Sequence, residues 1–154
     1  MSAVTYFDTL PTPLGDLLFT SDGDALTGLS VDAAPREEFV RDRAKLKPAV
    51  AQMRAYLAGE LTTFTVPMEQ PGTPFQQKVW DELRRIPFGE TISYRQLAER
   101  VGKPLASRAV GSANGRNQVI VVVPCHRVIA ADGTLGGYGG GLWRKEWLLA
   151  HERK

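Results

Sequence analysis

The chain has one cysteine, Cys125, in 154 residues, and only two histidines, His126 and His151. A single thiol excludes an intramolecular disulfide and fits a reducing compartment, so a cytoplasmic location is expected. One cysteine and two histidines are too few for a structural zinc site built on several Cys and His ligands, and neither metal nor cofactor is expected. No apolar run reaches the ~18 residues of a membrane span. The first ten residues lack the basic and apolar regions of a signal peptide, so no membrane association is expected. Internal repeats and low-complexity tracts are also absent. What is present, 43% hydrophobic and 23% charged residues, is the composition of a soluble globular protein with one large domain or two small ones.

Net charge is only +2, but it is unevenly spread. Residues 1–73 hold 6 Lys/Arg against 10 Asp/Glu, whereas residues 74–154 hold 13 against 7. The second half is therefore the one expected to meet a polyanion. Its cations cluster between Arg84 and Arg116 and include Arg95, Lys103 and Arg108. A solvated basic face is the plainer explanation of the same cluster.

The turn sequence Ser21-Asp22-Gly23-Asp24 separates two apolar-rich segments, Leu14 to Thr20 and Ala25 to Val31, and predicts an antiparallel hairpin. A helical stretch is predicted from Pro35 to about Ala58, interrupted at Pro48 and ended by Gly59. Leu61 to Val66 reads as a weak strand. Pro67, Pro71 and Gly72 mark a linker. The expected organisation is an N-terminal α/β domain over 1–68, a linker over 69–73 and a C-terminal domain over 74–154.

The second half opens on Thr73-Pro74-Phe75-Gln76, a capping box with proline at the first helical position. The apolar face of that helix is Phe75, Val79, Leu83 and Ile86. A second box, Ser93-Tyr94-Arg95-Gln96, starts a short helix ended by Gly102, and a third helix is predicted over about Leu105 to Asn114. Two short helices joined by a tight glycine-containing turn, with cations on the second, fit a helix-turn-helix, although any small helical corner reads similarly. Val119 to Val123 predicts a strand buried on both faces.

That run leads into Pro124-Cys125-His126-Arg127-Val128. A thiol attacks as thiolate, and an ordinary cysteine is mostly protonated at neutral pH, so a nucleophilic Cys125 needs a base. His126 is a candidate, although adjacent residues on a strand face opposite ways, so contact requires the chain to turn at Pro124 or to run through a water. The alternative is that Cys125 is one more small buried hydrophobe. On the last predicted helix, from about Leu142 to His151 or beyond, Lys145, Leu148, Leu149 and Glu152 share a face. Glu152 then either points inward, where it needs a partner, or frays into solvent near the terminus. The glycine-rich run Gly136 to Gly141 lacks the Gly-Lys-Ser/Thr ending of a phosphate loop.

Taken together, these segments resemble the methylated-DNA protein-cysteine methyltransferases, the O6-alkylguanine-DNA alkyltransferases. The resemblance rests on Ile92 to Ala98, Ser107 to Gly111, Pro124 to Val128, Gly137-Tyr138 and Lys145 to Leu149, in family order and spacing. It implies an α/β fold class: a small ribonuclease H-like N-terminal domain of antiparallel sheet plus helix, then a mostly helical domain with a winged helix-turn-helix. It implies irreversible, single-use transfer of an alkyl group from O6-alkylguanine, and from O4-alkylthymine, in double-stranded DNA to Cys125. His126 would be the base acting through a water, Glu152 would orient it, and Asn117 would hold the turn around the site.

For DNA the resemblance implies minor-groove docking. Arg108 would enter the base stack as the target base flips out, Tyr94 would push on the neighbouring phosphate, and Arg95, Lys103 and Arg116 would touch phosphates. Tyr94, Val128, Tyr138 and Gly139 would line the guanine pocket, the Gly139 N–H donating to O6 where many relatives have a hydroxyl residue. Tyr94 would also hydrogen-bond N3 of the departing guanine. Gln118 stands where the family commonly has proline. A monomer with no obligatory protein partner is expected. The rival expectation is a non-catalytic alkyltransferase-like protein that only binds lesions, although those relatives lack the acceptor cysteine.

Overall fold

A computed structural model describes residues 4–153. The chain divides into two compact units, the first ending at Gln70 and the second beginning at Pro71.

The first unit is a four-stranded sheet with one helix packed on it. Strands β1 (Tyr6–Thr12), β2 (Gly15–Ser21), β3 (Leu26–Val31) and β4 (Val40–Arg41) lie in the order β3-β2-β1-β4. The β2–β3 pair is the expected hairpin, and β4 runs parallel to β1. Helix α1 (Arg43–Leu57) buries Leu46, Ala49, Met53 and Tyr56 and packs on β1 and β2, whose Leu10, Leu17 and Phe19 are also buried.

The helix predicted from Pro35 starts only at Arg43, because the preceding segment turns and pairs with β1, and Asp42 then caps α1 by accepting from the Lys45 N–H at 3.1 Å. Pro48 does not interrupt it. The N–H that Pro48 lacks would have met the carbonyl of Ala44, and both residues lie on the exposed side, where solvent can serve that carbonyl. Leu61 to Val66 forms no strand. Its Thr65 and Val66 N–H groups donate instead to the Gln52 side chain, at 2.9 and 3.2 Å.

In the second unit α2 (Pro74–Leu83) and α3 (Tyr94–Arg100) both carry the complete capping boxes that their sequences specify. Helix α4 (Ser107–Gly115) packs against α2 and α3, burying Val110 and Ala113, and the Trp80 indole N–H donates to the Ala113 carbonyl at 2.9 Å. Between α3 and α4 the chain turns at Gly102, whose φ of 79° favours glycine. A two-residue parallel ribbon joins β5 (Ile92–Ser93) to β6 (Val128–Ile129), and α5 (Leu142–Glu152) closes the unit. Among the described residues no helix is long and apolar enough to cross a membrane.

Val119 to Val123 corrects an expectation. The segment is buried as its composition requires, apart from half-buried Ile120, but it is no strand. Val121 has a φ of 69°, and the Val122 N–H donates to the Ile120 carbonyl at 2.8 Å, which makes a γ-turn of the strained kind. A second, relaxed γ-turn follows at Pro124, with the Cys125 N–H donating to the Val123 carbonyl at 2.8 Å. Five β-branched residues satisfy burial in any backbone; their hydrogen bonds close locally, among themselves and with Asn117 and Cys125, instead of along a ladder.

Candidate active site

Cys125, His126 and Arg127 form a single 3-10 turn, and all three are buried. The turn replaces the strand alternation expected here, since adjacent side chains in a 3-10 turn lie about 120° apart around the axis and not on opposite faces. Asn117 fixes the approach. Its amide Nδ2 donates to the Val123 carbonyl at 2.8 Å and, more weakly, to the Val119 carbonyl at 3.4 Å, while its Oδ1 accepts from the Val119 N–H at 3.0 Å.

Glu152, in the last turn of α5, is 4% exposed and turned inward. His126 Nε2 lies 2.7 Å from its Oε2. Arg127 grips the same carboxylate from two nitrogens, Nε to Oε1 at 2.8 Å and Nη2 to Oε2 at 2.9 Å, and its Nη1 donates to the Ile86 carbonyl at 2.7 Å. A carboxylate held bidentately by arginine stays ionised, so Nε2 carries the proton it donates to Glu152. Nδ1 is then the basic nitrogen of His126, and it is buried with no protein hydrogen-bond partner.

Burial sets the resting protonation. It pushes the Cys125 thiol above its ordinary value, against the opposing effects of an Asn117 hydrogen bond and the nearby Lys145 ammonium. It pushes His126 down, more than the Glu152 carboxylate raises it. The resting pair is therefore thiol and neutral imidazole.

Two tyrosines border the thiol. Tyr94, the first residue of α3, is half-buried, and burial followed by the proximity of Cys125 raises its pKa. Tyr138 has a buried hydroxyl and is raised well above the ordinary tyrosine value by burial first and Cys125 second. Val128 opens β6, and its carbonyl accepts from Lys145 Nζ at 2.7 Å, which leaves one lone pair. The Cys125 carbonyl accepts from the Val128 N–H and, at 3.4 Å, from Asn114 Nδ2. Gly139 is exposed, and a Cβ there would meet nothing within 4 Å, so a residue bearing a hydroxyl would fit.

The structure thus gathers Cys125, His126, Glu152, Asn117, Tyr94 and Tyr138. It leaves Arg95, Lys103, Arg108 and Arg116 exposed on or beside α3 and α4, with Arg95 3.5 Å from Glu99. Sequence reasoning missed Arg127 and Lys145 as parts of the site. Arg127 was legible in principle, because an arginine next to the base, in a run that must be buried, needs an anion. Lys145 was placed on the inward face of α5 without a role. Its ammonium, fully buried, donates to the carbonyls of Val128, Leu135 and Gly137, pinning the loop before Tyr138, and burial lowers its pKa to about 8.

Both units have counterparts among known proteins. Residues 5–70 match the family model described as 6-O-methylguanine DNA methyltransferase, ribonuclease-like domain, and residues 74–154 match its DNA binding domain. A methylated-DNA–protein-cysteine methyltransferase of Mycobacterium leprae is 48% identical over 94% of this chain and 90% of its own length. The constitutive enzyme of that name from Bacillus subtilis is 44% identical over 97% and 96%. A Mycobacterium tuberculosis protein designated OGT, solved in complex with DNA, superposes with a TM-score of 0.91 at 46% identity, covering 96% of this chain and 92% of that one. With both domain models matched and near-complete relatives above 40% identity, the chain belongs to the 6-O-methylguanine DNA methyltransferase family.

Proposed function

We propose that this chain repairs DNA by direct reversal, moving the alkyl group of O6-alkylguanine, and of O4-alkylthymine, once and irreversibly to Cys125. The observation that carries the reading is the state of His126. Its Nε2 is committed to a carboxylate that Arg127 keeps ionised, and its Nδ1, with no protein partner, sits on the residue next to the thiol. The thiol proton passes to Nδ1 through a water. Sulfur then bonds to the alkyl carbon as the carbon–O6 bond breaks and its electron pair goes to guanine. Tyr94 hydrogen-bonds N3 as that charge develops, and in the sum the thiol proton ends on the guanine ring.

Cys125 is only 5% exposed, so a lesion stacked in a duplex cannot reach it. The base must therefore leave the helix, at a cost of about a few kcal/mol. Exposed Arg108 on α4 fills the vacated stack from the minor groove, and Tyr94 turns the neighbouring phosphate. Arg95, Lys103 and Arg116 supply phosphate contacts that carry no sequence information. The flipped base lies between Tyr94 and Tyr138, over the carbonyls of Cys125 and Val128 and the Gly139 N–H. In this reading residues 74–154 act as the DNA-binding and acceptor domain, joined through a linker at 69–73 to an accessory domain over 1–68, and the chain works as a monomer.

The test is to incubate a duplex containing one O6-methylguanine with the protein, digest the DNA and count restored guanine. Guanine should appear in proportion to protein added, and Cys125→Ser should bind the duplex without restoring any. Binding without restoration by the unaltered chain would instead support a non-catalytic lesion binder.

A further inference from the structure

We infer that the exposed face of α1 is a second DNA-binding surface, holding the phosphodiester backbone through Arg43, Lys47 and Arg54. The inference rests on DNA being the substrate, and its observations all lie in the first unit. Residues 1–73 are acidic overall, yet every cation among them falls between Arg36 and Arg54. Helix α1 carries Arg43, Lys45, Lys47 and Arg54 and no acidic residue at all. A helix face that serves only solubility usually mixes signs and forms pairs four residues apart, which α1 does not.

Two neighbouring cations have local partners. Arg41 pairs with Asp8 at 3.0 Å, and Lys45 lies over the Tyr6 ring at 4.9 Å. Arg43, Lys47 and Arg54 form no ion pair among the described residues, and all three are exposed. Helical geometry puts them within about 60° of one another around the axis.

The same three residues border a groove of about 340 Å³, with Asp8, Ala44, Val50 and Ala51 completing it. Alanines and a half-buried valine let a ligand backbone approach closely, and Arg41 already offsets the charge of Asp8. The distance from Arg43 to Arg54 is about 16 Å along the axis at a rise of about 1.5 Å per residue. That length of duplex carries about five phosphates per strand, and arginine suits them by its bidentate fork. A second copy of this chain offering an acidic face is the other conceivable occupant. A protein interface, however, is anchored by large buried apolar or aromatic groups, and this groove has none.

The experiment compares the full chain with Arg43→Gln/Lys47→Gln/Arg54→Gln in binding to an unmodified duplex across a salt series. Glutamine is a good helix former, so α1 should persist, and thermal unfolding by circular dichroism verifies it. Each phosphate contact contributes about 0.9 to the slope of log affinity on log salt. The triple variant should show a slope shallower by about 2 to 3 and binding weaker by roughly tenfold or more at low salt, while Arg43→Lys/Arg54→Lys keeps the original slope.

Methylation of Cys125 at saturating lesion DNA should be unchanged in every variant. If unaltered protein fails to methylate Cys125, the substrate reading falls independently of the slopes. Identical slope and affinity for the triple variant would overturn the second surface. So would loss of self-association in sedimentation with an unchanged salt slope, which would assign the face to another copy.

Discussion

The two residues that exchange a proton in this account are both held neutral by the same physical cause, burial. Cys125 is raised and His126 lowered, so a thiolate–imidazolium pair is disfavoured in the resting protein. Glu152 and Arg127 do not upset this: their charges offset each other, and the carboxylate fixes the imidazole tautomer without leaving a buried charge unpaired.

A thiol whose folded pKa exceeds its unfolded value of 9.0 contributes stability that is complete below pH 9.0 and declines as pH rises toward the folded value. Urea unfolding of the unaltered chain and of Cys125→Ser, from neutral pH upward, isolates this contribution. The difference in unfolding free energy should be constant below pH 9.0 and then shift against the unaltered chain by about 1.4 kcal/mol per pH unit. A difference constant throughout would mean that the thiol is not held protonated.

At the scale of elements, the decisive piece is irregular. The turns between Asn117 and Cys125 position the thiol, and one contains Val121 at a positive φ that costs on the order of 1–3 kcal/mol. Asn117 is the side chain that fastens them. Replacing Asn117 with Ala strands the Val119 N–H in a mostly buried segment and leaves the Val123 carbonyl with only its bond from the Cys125 N–H. The expected destabilisation is about 1–3 kcal/mol, and transfer to Cys125 should slow with it. Denaturant unfolding and single-turnover transfer measure both, and a loss within about 0.5 kcal/mol would show that the turn holds itself.

The same segment shows why legibility stops where it does. The capping boxes at Thr73 and Ser93 were readable because a cap is local: a hydroxyl and a glutamine three residues apart satisfy each other. Val119 to Val123 was readable as buried but not as turned, since its backbone bonds are set by a side chain at Asn117. Strand β1 was missed altogether, because Asp8, Thr9 and Pro11 dilute its apolar pattern and its evidence lies in pairing with β2.

For the whole molecule, a cysteine found by itself is ambiguous, and it becomes informative only through what surrounds it in order. That Glu152 faces inward and meets His126 was legible because the motifs follow one another at a fixed spacing, which composition alone would not reveal. Arg127 and Lys145 escaped because their partners, a carboxylate and three carbonyls from other segments, are brought together only by folding. The proposed transfer is a matter of stoichiometry as well as chemistry, one alkyl group for each Cys125. The most direct measurement is the mass of the intact chain, and of its Cys125 peptide, after incubation with excess O6-methylguanine duplex. One methyl group per chain, located on Cys125 and absent from Cys125→Ser, is the predicted result; bound DNA with an unmodified Cys125, or repair continuing beyond one lesion per chain, would contradict it.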